Sequence, residues 1–198
     1  MSGWIERARQ IAAEDSRLDG WMFKTSVSKS TIADGAGDGR YAEEDMPSMS
    51  VSLVKKIVPM SDISSLSLRS INPDTSISFS ALKDLERFVA LANEESNLEV
   101  AEIHHLFKNF MFGTDGERSI LNVSTFTINH SDTGLCNVVV DCDGQKCRCT
   151  TSKAIAKGGE LTCDYRLFKL PAFYLEYCNR HGFPDVRTFV LNEIGAER

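Results

Sequence analysis

Short strand-like runs, interrupted once by a pair of helical patterns, constrain the fold of this chain more than any other feature. Alternation and β-branched residues predict strands at residues 23–28, 51–58, 120–128, 137–142 and 146–151. Residues 61–80 are crowded with Ser, Asn and Asp and predict a loop with one short strand. Many short strands around one helical insert predict a mostly β fold of the α+β class.

Helical periodicity and end signals locate the helices. Apolar residues recur at helical spacing from Leu82 to Ala92 and again from Ile103 to Phe110. Ser96 followed three residues later by Glu99 is a capping-box pattern and predicts the start of the second helix. A third helix is predicted from Pro171, a residue favoured at the first helical position, to Gly182, a residue typical of helix ends.

The length of 198 residues favours one main domain with its own apolar core. A helical pattern over residues 3–14 predicts a separate N-terminal helix, so we place the first boundary at residues 1–20. The main domain is expected at residues 21–168, with its helical insert at about 61–112. A C-terminal helical segment at residues 169–198 completes the chain.

The charge balance argues for a basic partner and against nucleic acid. The chain has 22 Lys and Arg against 28 Asp and Glu, a formal net charge of −6, whereas phosphate binding depends on Lys and Arg. No run is long enough to span a membrane, and the N-terminus lacks the apolar region of a secretory signal. We therefore expect a nuclear or cytoplasmic location, with no membrane partner and with all six cysteines as reduced thiols.

Three neighbouring cysteines raise the question of a metal site. Cys147 and Cys149 lie two residues apart on a predicted strand and share a face, and Cys142 lies across a hairpin. These give at most three thiolates, with Cys136 as a poor fourth ligand, whereas structural zinc needs four. We predict no bound metal, although a small cysteine-rich metal-binding module is one alternative.

Three motifs carry residues suited to ligand binding or catalysis. Alone, each is typical of an ordinary turn, a buried polar pair or a strand end. The motifs are Gly37-Asp38-Gly39-Arg40-Tyr41-Ala42, Asn129-His130-Ser131 and Gly158-Gly159-Glu160-Leu161-Thr162-Cys163-Asp164-Tyr165.

The order and spacing of these motifs resemble the SET domain of protein-lysine methyltransferases, over roughly residues 22–168. The resemblance implies a fold of small curved sheets in which the C-terminal segment threads beneath a loop, like a pseudoknot. It also implies S-adenosylmethionine as methyl donor and a protein substrate with a target lysine. A basic tail such as that of a histone would suit the acidic chain.

The resemblance also implies roles for individual residues. Tyr165 would be the catalytic residue, at the point where the methyl group passes from sulfur to nitrogen. Asn129 would hold the amino group of the cofactor and His130 the adenine edge. The full cofactor-binding set is Gly37, Asp38, Gly39, Arg40, Asn129, His130 and Tyr165. Candidate walls of the lysine channel are Tyr41, Phe110, Phe112, Phe126 and Phe168.

The sequence departs from the family pattern in three places. Gly158-Gly159-Glu160 has one carboxylate where two are usual, and Asn137 comes later after the Asn-His-Ser motif than the common form has it. No cysteine-rich segment follows Tyr165, so the C-terminal helical segment is the candidate lid of the channel. These departures motivate a second hypothesis, a non-catalytic SET-like protein-interaction module, against which the presence of Tyr165 argues.

Overall fold

The computed structural model of the protein describes residues 10, 19–32, 37–65, 74–122, 127–131 and 134–188. The predicted N-terminal helix over residues 3–14 lies outside the described residues, except for Gln10. The channel candidate Phe126 also lies outside them.

Two sheets form the body of the described structure. The smaller sheet contains, in spatial order, β1 (Thr25–Lys29), β2 (Asp38–Ala42), β10 (Glu160–Cys163) and β7 (Asn129–His130). The larger contains β5 (Met111–Phe112), β6 (Ser119–Leu121), β4 (Thr75–Phe79), β3 (Val51–Pro59), β9 (Lys146–Thr151) and β8 (Val138–Cys142). Neighbouring strands are antiparallel except the pairs β3–β4 and β7–β10. The predicted mostly β fold with a helical insert is confirmed.

Two helices of the insert, α1 (Leu82–Ser96) and α2 (Val100–Phe110), follow β4. The predicted start of the second helix at Ser96 is wrong, because Ser96 is the last residue of α1. Asn97 closes α1 in the left-handed conformation (φ 50°), which separates the two helices. The cap of α2 is Glu99, whose backbone N–H donates to the Glu102 carboxylate at 2.9 Å.

The third helix, α3 (Ala172–His181), begins after Pro171 and ends at Gly182, close to the predicted limits. Gly182 has a φ of 71°, a conformation that glycine adopts without steric cost. The hydroxyl of Tyr174 on α3 donates to the backbone oxygen of Phe107 on α2 at 3.1 Å, which ties the C-terminal helix to the insert. None of the helices in the described part of the chain has the length and apolar character that a membrane crossing requires.

The run at residues 120–128, predicted as one strand, contributes to both sheets instead. Its first part is β6, which pairs with β4 and β5 in the larger sheet. Residues 123–126 lie outside the described structure, residues 127–128 are not strand, and Asn129 begins β7 in the smaller sheet. The chain must leave one sheet before it enters the other, so a single strand cannot span the run.

Strand β4 is central in the larger sheet, but its serine residues prevent the hydrophobic pattern from predicting that position. This strand lies between β3 and β6, and its Ser76 and Ser78 are buried. The sequence predicted only a short strand in a loop here, because buried strands are recognised mainly by apolar residues. The apolar core next to β4 includes Phe79, Phe88 and Phe107, with ring centroids 5.6 to 6.1 Å apart.

Candidate active site

Strand β10 brings the sequence motifs together, because it lies between β2 and β7. Through the antiparallel pairing with β2, the Gly-x-Gly motif lies beside the start of the closing motif. Through the parallel pairing with β7, the Asn-His motif lies beside its end. The paired residues are Glu160 with Tyr41, Leu161 with Arg40, Thr162 with Asn129, and Cys163 with His130.

The carboxylate of Glu160 is the centre of a hydrogen-bond network at the start of β10. Its Oε1 accepts from Ser30 Oγ at 2.8 Å and from Asn129 Nδ2 at 3.0 Å. Its Oε2 accepts from the Tyr41 hydroxyl at 2.9 Å and from the Thr31 backbone N–H at 3.2 Å. Four donors from three parts of the chain thus hold one carboxylate in place.

These hydrogen bonds keep Glu160 ionised. Burial is the largest single influence and by itself would raise the pKa of the carboxyl group. The hydrogen bonds from Asn129, Ser30, Thr31 and Tyr41 outweigh it, and the pKa lies below its ordinary value of 4.5. Glu160 therefore places a negative charge beside Asn129 at neutral pH.

The two glycines of the Gly-x-Gly motif have different surroundings. A Cβ atom on Gly39 would overlap Glu160 Oε1 and lie 3.2 Å from Asn129 Nδ2, so the Glu160 carboxylate fills the space over Gly39. A Cβ atom on Gly37 would meet no atom of the described residues within 4 Å, but Gly37 has a φ of 75°. Gly39 is thus required for close approach, whereas Gly37 is required for backbone conformation.

Tyr165 is fixed by three contacts immediately after β10. Its hydroxyl donates to the backbone oxygen of Ile128 at 2.6 Å. Its backbone N–H donates to His130 Nδ1 at 3.1 Å, so Nδ1 is the unprotonated nitrogen of that ring. The two rings lie with centroids 5.5 Å apart. The conformation of Tyr165 is therefore set by residues of the Asn-His segment and the residue preceding it.

An aromatic row extends from Tyr165 toward the larger sheet. The Tyr165 ring stacks on Phe168, with centroids 5.4 Å apart and an interplanar angle of 22°. Phe168 in turn packs on Phe112 at 5.6 Å. Burial, and secondarily the neighbouring Cys163, raises the pKa of the Tyr165 hydroxyl well above its ordinary value. The hydroxyl is therefore neutral at physiological pH.

Asp164 and Asn137 support this arrangement from either side. The buried Asp164 carboxylate accepts from the backbone N–H of Arg166 at 3.0 Å and from its Nε at 2.8 Å, which caps the 3₁₀ turn Tyr165–Leu167. The Asn137 side chain donates to the Glu160 backbone oxygen and accepts from the Thr162 N–H, both at 2.8 Å. Asn137, although late in the sequence motif, thus braces β10.

The Arg40 side chain lies on the opposite face of β2 from Gly39 and Tyr41. It is fully buried, donates to Thr25 Oγ1 at 2.9 Å and lies 4.9 Å over the Trp21 ring. Burial lowers the pKa of the guanidinium to about 10, an effect that nearby Asp19 opposes. Arg40 therefore contacts the core, not the surface on which Gly39, Asn129 and Glu160 meet.

A buried ion pair accompanies Arg40 behind β2. Lys55 Nζ and Asp19 Oδ1 lie 2.5 Å apart, and both side chains are fully buried. Burial lowers the pKa of Lys55 below its ordinary value of 10.5, although Asp19 acts in the opposite direction.

The remaining predicted site residues fall in several places. Asp38 begins β2 with its side chain exposed, 3.8 Å from Lys29 Nζ. Tyr41 belongs to the Glu160 network, and Phe110 is half-buried at the end of α2 against the core. The candidate lid α3 packs on the helical insert, and Arg187 beyond it donates to the Phe168 backbone oxygen at 3.5 Å.

Sequence reasoning did not assign Glu160 or Ser30 to the site. In the sequence, Glu160 is distinguished only as the single carboxylate of its motif. The available signal was strand alternation in β2, which places Gly39 and Tyr41 on one face of the sheet. A glycine in a strand indicates that another group packs closely against its backbone, and here that group is Glu160. No local signal in the sequence identifies Ser30 as one of its partners.

The cysteines differ from the sequence prediction. Cys142 and Cys147 are opposite each other in the β8–β9 hairpin, with Cα atoms 4.2 Å apart, and form a disulfide. The expectation of six reduced thiols is therefore wrong for this pair, because the turn closed by Asp143 and Lys146 aligns the two side chains closely. Among the described residues, no group of three or more His, Cys, Asp or Glu is arranged to hold a metal.

Comparison with known families shows to which family the chain belongs. The SET domain family model matches residues 40–166, more than half of the chain. The protein therefore belongs to the SET-domain family, whose members are generally lysine methyltransferases. A comparison with curated proteins finds no match.

Two solved structures match the chain at low sequence identity. One is a humanized mutant of the Chaetomium thermophilum Polycomb Repressive Complex 2 bound to the inhibitor GSK343, with 17% identity and a TM-score of 0.50; the match covers 90% of this chain and 21% of that chain. Another is the Chaetomium thermophilum complex bound to GSK126, with 16% identity, a TM-score of 0.49 and coverage of 90% and 22%. The present chain thus spans about a fifth of the length of those chains.

Proposed function

We propose that the protein transfers a methyl group from S-adenosylmethionine to a lysine side chain of a protein substrate. The observation that carries this proposal is the pairing of β7 with β10, which joins the Asn129–Glu160 network to the Tyr165 hydroxyl. Family membership supports the reaction class.

The residues present fit an amino-acid-like, cationic cofactor. Gly37 has no side chain to cover its backbone, and Glu160 places a negative charge beside Asn129. When bound, S-adenosylmethionine supplies a methyl group on a positively charged sulfonium. Asn129 would hold its amino-acid end, and His130 would contact the adenine through its backbone.

Tyr165 would act at the point of transfer as a hydrogen-bond acceptor. Because its proton is directed to the Ile128 carbonyl, the hydroxyl oxygen presents its lone pairs to a substrate amine or to the methyl group. Its raised pKa means that it does not serve as a phenolate base at neutral pH. Its role is to position the reacting groups, which converts a bimolecular displacement into an effectively unimolecular one.

The substrate amine must lose a proton before it attacks. A free lysine, with a pKa of about 10.4, is almost wholly protonated at neutral pH. Aromatic walls such as Phe168 and Phe112 would exclude water, and burial beside a cationic sulfonium lowers the pKa of the amine. A dedicated general base is then unnecessary.

We propose a basic tail, such as that of a histone, as the substrate, with a nuclear location following from it. The net charge of −6 supports such a partner. The likeness to Polycomb Repressive Complex 2 structures concerns the fold and covers about a fifth of those chains. Turnover with labelled donor and histone tails tests this substrate.

The test compares Tyr165→Phe with Tyr174→Phe. Both variants lose a hydroxyl that donates to a backbone carbonyl, at 2.6 Å in the site and at 3.1 Å in the core. We expect Tyr165→Phe to bind S-adenosylhomocysteine normally in calorimetric titration but to lose about a hundredfold in turnover with labelled donor and histone tails. Tyr174→Phe should keep both.

Two outcomes would refute the proposed function. Well-folded wild-type protein that binds neither S-adenosylmethionine nor S-adenosylhomocysteine would favour the non-catalytic module. Equal loss of turnover in the two tyrosine variants would assign Tyr165 a structural role.

A further inference from the structure

The side-chain amide of Asn129 is held in one orientation. Its Nδ2 donates to the backbone oxygen of Asp38 at 3.2 Å and to Glu160 Oε1 at 3.0 Å. A carbonyl and an ionised carboxylate only accept hydrogen bonds, so both require the NH₂ group of the amide. The amide oxygen Oδ1 therefore faces away from them, and no described residue donates to it.

Glu160 is itself fixed by contacts that do not involve Asn129. Ser30 Oγ donates to the same carboxylate oxygen, and the Tyr41 hydroxyl and the Thr31 N–H donate to the other. The carboxylate therefore cannot follow a rotation of the amide without losing its own partners. Its negative charge also polarises the amide, which increases the acceptor strength of Oδ1.

We propose that Glu160 is a positioning residue that turns Asn129 Oδ1 toward the amino group of the cofactor and so makes the site selective for a cationic amino-acid end. This inference rests on the proposed function. Glu160 acts through Asn129 and need not touch the cofactor. Its loss should therefore weaken the preference for an amino group more than it weakens binding in general.

The experiment measures that preference directly. Calorimetric titration gives the Kd of S-adenosylhomocysteine and the Kd of its analogue without the α-amino group. The preference is the Kd of the analogue divided by the Kd of S-adenosylhomocysteine. A variant that is partly unfolded loses both affinities alike, so the ratio reports the site and not the folded fraction. We expect Glu160→Gln to lower the ratio about tenfold, since it removes a charged hydrogen-bond partner.

Glu44, two residues after the end of β2, provides a matched control. Glu44 also accepts a backbone N–H, from Lys24 at 2.7 Å, but it is exposed and belongs to no contact of Asn129. Glu44→Gln removes an equal charge and should leave the ratio unchanged.

A double variant separates positioning from a direct charge effect. In an Asn129→Ala background, the amide that Glu160 positions is gone, so Glu160→Gln should have no further effect on the ratio. A persisting tenfold effect would mean that Glu160 acts on the ammonium directly, which overturns the inference.

The remaining outcomes are also decisive. If the wild-type protein binds S-adenosylhomocysteine and Glu160→Gln leaves the ratio unchanged, the positioning role is overturned and the proposed function stands. A wild-type protein that binds neither ligand overturns the proposed function, and this inference with it.

Discussion

Replacing Gly39 by alanine should expel the Glu160 carboxylate from its network. The new Cβ atom would overlap Glu160 Oε1 and lie 2.7 Å from its Cδ, far inside van der Waals contact. The backbone of β2 cannot retreat, because it is paired with β1 on one side and β10 on the other. The flexible Glu160 side chain must move instead.

The cost of this movement follows from the bonds that it breaks. Oε1 would lose its hydrogen bonds from Ser30 and Asn129, at 2.8 and 3.0 Å. Each bond to a charged group is worth about 1.5–3 kcal/mol, but the displaced carboxylate regains water. We expect a net loss of about 2–3 kcal/mol in the free energy of unfolding, or roughly 5–10 °C in Tm.

Urea unfolding of a double-variant cycle is the assay. Gly39→Ala in a Glu160→Ala background should cost little, because the nearest remaining atom is Asn129 Nδ2 at 3.2 Å. Gly37→Ala is the control, since its φ of 75° makes alanine cost about 1–2 kcal/mol whether or not Glu160 is present. Additive effects of Gly39→Ala and Glu160→Ala would refute the reasoning.

Three further predictions concern charge and redox state. Asp19→Asn removes the carboxylate beside the fully buried Lys55 and should cost about 3–5 kcal/mol in urea unfolding at neutral pH. Because burial holds the pKa of Lys55 below 10.5 in the folded protein, the unfolded state binds more protons, and stability should rise as pH approaches 10.5, more steeply in the variant. Because the pKa of Glu160 in the folded protein lies below 4.5, its contribution to the free energy of unfolding should be complete above pH 4.5 and lost as pH falls through the folded pKa. Glu160→Gln should therefore flatten the acid side of the curve of stability against pH. Thiol titration of denatured, unreduced protein should find the four free cysteines Cys136, Cys149, Cys163 and Cys178, and all six after reduction; six before reduction would exclude the Cys142–Cys147 bond.

Local sequence signals predicted much of the fold. The helical stripes that bury Leu85, Phe88 and Ile103 were read from periodicity alone, and the end of α3 was read from Gly182. The order of the three motifs was enough to predict the family. These features are encoded within a few residues of one another or in a fixed order along the chain.

Local signals failed where one run of residues contributes to two sheets or where polar residues are buried in the core. Residues 120–128 were assigned to one strand, although β6 and β7 belong to different sheets. Arg40 follows the Gly-x-Gly turn in sequence, but its side chain lies in the core. There it donates to Thr25 Oγ1 and lies over the Trp21 ring.

By itself, the sequence determined which residue types could form the candidate site and in what order they occur. Only the tertiary structure decided which of them meet. The hydrogen bond between Ser30 and Glu160 joins residues 130 apart in the chain, and it exists because β10 inserts between β2 and β7. Propensity and periodicity act over a turn or a strand, so they carry no information about a partner that only the pairing of distant strands can supply.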